Sequence, residues 1–396
     1  MDNIQASLFG TRNRTDSRPS RHSESTYAFL RRAAGPVWDQ CRDLIDDWLR
    51  AYPENARAAL RARLRSGNDR EFTSAFWELY LHEMYRGAGW TIAIEPSVAT
   101  RPARPDFLVS KGDVAYYVEA RCIVEGGSDG GAAARKQTVF DSLNEIDSGP
   151  FHLSVTTVTV GANMPSTKTL RRGLEKWLEG LDPDAVDYGV DGEQPGHQFK
   201  WVEDGWHLVF HPMPRDVGVR GTRAKRALGV YQDAEASFID DITPLRRALS
   251  EKGSKYGELT HPLVLAINAG SSFHDEYDTQ QALFGTVGWR FDFRDRDAGA
   301  TPVLTKPGYW GWPGQPAHTH VAGVLLAEGM HYARVAQYAP AFWPHPSAAQ
   351  GVAPLASWRV AHLVDGQTAY SEPSVSAPDL FGLPTGWPLG EPFPRR

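Results

Sequence analysis

The stretch Val114–Cys122, VAYYVEARC, is apolar at nearly every position. A strand of this kind is buried on both faces, so the sheet that holds it needs a covering layer on each side. The requirement points to an α/β fold with a three-layer core around a central mixed sheet. The run also carries one carboxylate, Glu119, near its end.

The residues before it extend the pattern. A helix is expected from Glu71 to Arg86, stopped at Gly87 and Gly89 as helix C-termini commonly are. Phe72, Phe76, Trp77, Leu79, Tyr80, Leu81 and Met84 cover most of its circumference, which predicts a largely buried helix. Its polar gap holds Glu71, Glu78 and His82, with Glu78 and His82 one turn apart. Glu83 falls amid the apolar positions. Two short strands follow, TIAIEP and PDFLV, and the spacing from Asp106 to Glu119 fits a hairpin turning at Ser110 to Asp113. Glu78, Asp106 and Glu119 thus come from one helix and two paired strands. Three acids brought together this way suit a hard divalent cation.

Bulk properties narrow the setting. The chain has 396 residues, enough for one large domain or two ordinary ones. Thirteen Trp, 14 Tyr and 17 Phe predict an aromatic core. A net charge of -6 excludes a uniformly basic surface, so any nucleic-acid contact must come from local basic patches. Cys41 and Cys122 are the only cysteines, and neither has a partner at metal-ligand spacing. That excludes a zinc knuckle or disulfide scaffold and suits a reducing cytoplasm. The N-terminus lacks the apolar run of a signal peptide, and no stretch approaches the ~20 apolar residues of a membrane span. A cytoplasmic protein with no membrane partner is expected.

Four segments follow from the pattern. Residues 1–25 read as a disordered basic tail, and 26–70 as N-terminal helices. Residues 71–181 read as the core, and 182–396 as an α+β extension. Within the core, a helix over about Ala133–Ile146 and the strand FHLSVTTVTV follow VAYYVEARC. The crossover rule predicts that these two strands lie parallel in one sheet. In the extension, HVAGVLLAE and HYARVAQYA read as two strands. Arg215, Arg220, Arg223, Lys225 and Arg226 crowd one Gly-punctuated loop, which reads as a solvated loop first and a phosphate contact second. His318 and His320 could ligate a metal from one strand face, although a strand entry is the plainer reading.

Pro105-Asp106-Phe107 followed by Glu119-Ala120-Arg121, after a helix bearing Glu78, resembles the PD-(D/E)xK nuclease superfamily with its restriction-endonuclease-like fold. The resemblance covers about Phe72–Val160. It implies a metal-dependent endonuclease that hydrolyses phosphodiester bonds in nucleic acid, DNA first, and it allows a homodimer. It implies Mg²⁺ or Mn²⁺ held by Asp106, Glu119 and the backbone carbonyl of Ala120, with Glu78 completing the site. The catalytic set is then Glu78, Asp106, Glu119 and Arg121. The chain departs from the family at Arg121, where the motif has lysine. Arginine stays protonated and cannot act as a base. Arg121 can serve as the electrostatic element, Lys136 can reach in from the following helix, or the protein binds without cutting. Plainer readings stand beside these: Asp106 as a turn cap, Glu119 with Arg121 as a structural ion pair, and Glu78 with His82 as a solvated helix edge.

Overall fold

The computed structural model describes residues 7–98, 102–123, 130–186, 197–220, 222, 226–231, 242–253, 255–256, 258–270, 276–291, 300–364 and 366–392. They form two compact units, residues 1–19, 25–125 and 240–396 in the first, and 20–24 and 126–239 in the second.

The first unit opens with four helices, α1 (Thr26–Arg32), α2 (Pro36–Ala51), α3 (Glu54–Arg65) and α4 (Asp69–Gly87). Eleven residues of α4 are buried, from Phe72 through Tyr85, as its all-round apolar pattern requires. Three strands follow: β1 (Thr91–Ile94), β2 (Phe107–Lys111) and β3 (Val114–Ile123). They pair antiparallel in order, and Phe107 faces Val118 across the β2–β3 ladder. Gly112 takes a positive φ of 57° in the tight β2–β3 turn, a conformation glycine adopts without strain.

The second unit is an insertion. It holds α5 (Gly130–Leu143), β4 (Phe151–Thr159), α6 (Thr167–Glu179), β5 (Phe199–Glu203), β6 (Trp206–Pro214) and β7 (Leu228–Tyr231). Its four strands form their own sheet in the order β5-β6-β4-β7. The expected parallel neighbour of β3 is therefore not β4. The 71–181 segment is divided between the two units, because the chain leaves the first sheet after β3.

The chain then returns with α7 (Ile242–Gly253), β8 (Leu263–Ala269), α8 (Glu276–Phe284), β9 (Gly285–Phe291), β10 (Ala300–Pro307), β11 (Gly311–Trp312), β12 (Gln315–Pro316), β13 (Val321–Glu328), β14 (Ala341–Pro344), β15 (Arg359–Val364), β16 (Gln367–Ser371) and α9 (Ala377–Phe381). The large mixed sheet runs β1-β2-β3-β8-β13-β14-β15-β16. Strand β8 lies parallel to both β3 and β13, and every residue of β8 is buried. Residues 182–396 are thus no mere extension, since they supply five of the eight strands of this sheet.

The layers follow the alternation of side chains along β3. Tyr116 and Val118 join Phe76, Leu79 and Trp77 of α4 on one face. Tyr117 joins Leu263, Leu265 and Ile267 with Leu245 and Leu249 of α7 on the other. The three-layer expectation therefore holds for this unit. Two other expectations do not. HYARVAQYA is a series of turns, with Val335 buried against the α4 cluster. The described part of the N-terminal segment is also anchored rather than disordered. Leu8 and Phe9 are buried, and Ser7 Oγ and the Leu8 amide donate to Asp46. Two apolar side chains and one acceptor are enough to hold this otherwise polar stretch. Residues 1–6 lie outside the described residues.

Candidate active site

Asp106 stands immediately before β2, and its Oδ2 accepts the Ala120 amide of β3 at 2.7 Å. Strand β2 begins at Phe107, opposite Val118, so the aspartate takes up the N–H that lies beyond the ladder's end. The bond crosses to the neighbouring strand, fourteen residues on, so it is not the local cap of a turn. Yet Oδ1 accepts no hydrogen bond from the described residues, and the carboxyl is pushed up to about 8. Burial is the largest cause, followed by the charges of Glu119 and then Glu78. The Ala120 amide and Lys252 pull the other way without offsetting them. An aspartate is thus held where two further carboxylates already concentrate negative charge.

Glu119 is fully buried on the α7 face of β3. Lys252 of α7 donates to its Oε1, and the Tyr256 hydroxyl donates to its Oε2. Lys255 Nζ stands 3.5 Å from Oε1. Burial and the neighbouring Glu119 push the Tyr256 phenol well up, so it stays protonated and remains a donor.

Glu78 lies on the α4 side. Arg63 of α3 grips it with two bonds of 2.7 and 2.8 Å, a bidentate fork that fixes both oxygens. Glu78 is therefore not a solvated helix edge with His82. His82 instead turns to Glu83 at 2.9 Å, and Arg86 closes on the same carboxylate at 2.6 Å. Glu83 is a buried structural acid, and the site does not use it.

A cleft of about 220 Å³ opens over this end of the sheet, lined by Tyr52, Arg63, Glu78, Glu95, Arg104 and Asp106 among others. Glu95 holds a φ of 44°, which is uncommon for a side chain of this kind. Its amide donates to the Asp106 carbonyl at 2.9 Å. The backbone around Asp106 is therefore pinned from both flanking strands.

The expected catalytic and metal residues thus fall into two groups. Asp106, Glu119 and Glu78 converge electrostatically, with Ala120 bonded to Asp106 by its amide. Arg121 does not join them. It is 46% exposed and stands 3.8 Å from Glu251. It is also not the ion-pair partner of Glu119, whose oxygens are taken by α7 and Tyr256. Lys136 lies on α5 of the second unit, with its ammonium over the Phe140 ring. The lysine beside Glu119 is Lys252, which sequence spacing could not single out.

Among the described residues, no three His, Cys, Asp or Glu side chains stand close enough together to hold a metal as a ready-made cluster. Mg²⁺ needs less, since it is commonly held by one or two carboxylates and keeps several waters. Asp106 offers one open oxygen towards that requirement, whereas Glu119 is fully buried with both oxygens already bonded to Lys252 and Tyr256. The histidines offer nothing comparable. His318 stacks on Tyr309 at 4.1 Å, and His320 meets the Gly253 carbonyl at 2.7 Å.

The like-charge crowding has a measurable consequence. A carboxyl raised in the folded state binds its proton more tightly there than in the unfolded chain. Its contribution to stability is present at low pH and lost as pH rises towards about 8. Asp106→Asn should therefore raise the melting temperature at pH 8 to 9 and leave it nearly unchanged near pH 4. An equal shift at both pH values would show that the acids do not repel one another.

No helix among the described residues is long and apolar enough to cross a membrane. No protein-family model, curated protein or solved structure matches the chain.

Proposed function

We propose that the chain is a metal-dependent nuclease that hydrolyses phosphodiester bonds, with DNA as the first substrate to test. The single observation that carries this reading is the state of Asp106. Its carboxyl is pushed up to about 8 by burial, Glu119 and Glu78, while one of its oxygens is left open among the described residues. A purely structural aspartate gains nothing from such surroundings, and displaced carboxyl pKa values concentrate at functional sites.

Asp106 and Glu119 would hold Mg²⁺ or Mn²⁺. The bound ion supplies the Lewis acid that neutralises the phosphate and eases deprotonation of the attacking water. Lys252 places an ammonium beside Glu119 and can hydrogen-bond a phosphate oxygen or the attacking water. Tyr256 orients Glu119, and Arg63 orients Glu78. Arg121 stays outside, so Arg121→Ala should change the cleavage rate less than about tenfold. A loss as large as that of Asp106→Ala would return Arg121 to the site.

One observation favours a second reading, a nuclease-fold protein that binds nucleic acid or a protein partner without cutting. Both Glu119 oxygens are already engaged, by Lys252 and Tyr256. Incubating plasmid DNA with the protein and Mg²⁺ or Mn²⁺ separates the two. Metal-dependent nicking supports the nuclease. Measurable metal affinity without cleavage of any DNA or RNA supports the second reading.

A further inference from the structure

Helix α7 and the turn after it deliver the groups that meet Glu119. Lys252 is the penultimate residue of α7, and Lys255 and Tyr256 follow the helix. The body of α7 is held by Leu245 and Leu249 in the apolar layer on that face of the sheet. Apolar packing is non-directional and does not by itself fix where the helix stops along its axis. A directional bond does. Gly253, the last residue of α7, offers its carbonyl to His320 Nε2 at 2.7 Å. A carbonyl can only accept, so Nε2 carries the proton and donates. The last carbonyls of a helix have no intrahelical partner, and the histidine supplies one.

His320 is fixed to the sheet that carries Glu119. It immediately precedes β13, and its carbonyl accepts the Leu263 amide at 3.2 Å where β8 begins. Strand β8 in turn pairs with β3, with Leu265 opposite Glu119. The Val321 amide donates to the His318 carbonyl at 2.9 Å, and His345 Nε2 donates to the Ala317 carbonyl at 2.8 Å, so the segment bearing His320 is itself pinned. Gly253 is closely approached as well, since a Cβ there would collide with the Tyr309 hydroxyl. We propose that His320 is a positioning residue: through the Gly253 carbonyl it ties the end of α7 to the sheet at the height that sets Lys252 against Glu119. The tie belongs to the fold, and its part in cleavage rests on the nuclease reading above.

The test compares His320→Leu, which removes the donor, with His320→Gln, whose side-chain amide can donate in place of Nε2. His320 is exposed, so neither change opens a cavity in the core, and circular dichroism checks that each variant is folded. Each is combined with Lys252→Met in the full chain, and melting temperatures are read as a double-mutant cycle. Lys252→Met should lower the melting temperature less in His320→Leu than in wild type, by about 2 °C, the shift expected from one hydrogen bond in a domain of this size. In His320→Gln the drop should match that in wild type. Equal drops in all three backgrounds overturn the tie and leave the nuclease reading standing. On plasmid DNA with Mg²⁺, His320→Leu should lower kcat roughly fivefold or more with KM within about twofold of wild type, and His320→Gln should recover it. An unchanged kcat in His320→Leu overturns the part of His320 in the reaction. A reduced drop in His320→Leu, with wild-type protein that cleaves no DNA or RNA, keeps the tie and overturns the nuclease reading.

Discussion

Asp106→Ala should abolish metal-dependent cleavage, with a loss of roughly a thousandfold or more, equivalent to ~4 kcal/mol of transition-state stabilisation. The fold should survive. Among the described residues the Asp106 side chain accepts one hydrogen bond, from the Ala120 amide, and removing the carboxyl relieves repulsion with Glu119 and Glu78. The melting temperature at neutral pH should therefore hold or rise while activity disappears. That opposition separates a functional residue from a structural one, because a structural residue loses both together. The isosteric Asp106→Asn should behave alike, since its amide oxygen can still accept from Ala120. Cleavage retained in both Asp106→Ala and Glu119→Gln would end the nuclease proposal. Retained activity in one alone would place the metal elsewhere among the acids.

The half of the site that could be read from sequence is the half built from neighbouring elements. Asp106 immediately precedes β2 and Glu119 lies on β3, and the two strands are joined by a tight turn, so the turn chemistry at Gly112 and the alternation of β3 fix their relation locally. Glu78 is carried by the helix just before them, whose burial pattern is plain. Lys252 and Tyr256 are a different matter. They reach Glu119 only because β8 pairs parallel to β3 after an insertion from Gly126 to Ile239. A parallel pairing across that distance leaves no spacing signal. The crossover rule instead favoured β4, the next strand in the chain, and β4 pairs with β6 and β7 in another sheet. Arg121 follows Glu119 by two residues on β3. Its strand face is that of Glu119, but its longer side chain ends at Glu251 on the surface of α7.

Lys252→Met should destabilise the protein by about 3 kcal/mol, because it leaves a buried carboxylate without its closest cation. Glu119 is wholly inaccessible, so water cannot replace the ammonium. The Tyr256 hydroxyl still donates to Oε2, and Lys255 stands 3.5 Å from Oε1. Both moderate the loss and place it at the lower end for a broken buried pair. Removing the charge at Glu119 as well should restore most of the stability, so Lys252→Met/Glu119→Gln should melt closer to wild type than Lys252→Met does. Additive losses in the double variant would mean the two side chains are not energetically paired. Lys252→Arg then divides structure from chemistry. Arginine keeps the positive charge and should recover stability, but its fixed planar fork differs from the compact ammonium in how it meets a water or a phosphate oxygen. Stability recovered without cleavage would give the lysine a part in the reaction. Recovery of both would make it a counter-charge for Glu119 and no more. A Lys252→Met variant within about 1 kcal/mol of wild type would overturn the pairing itself, since a buried unpaired carboxylate costs more than that.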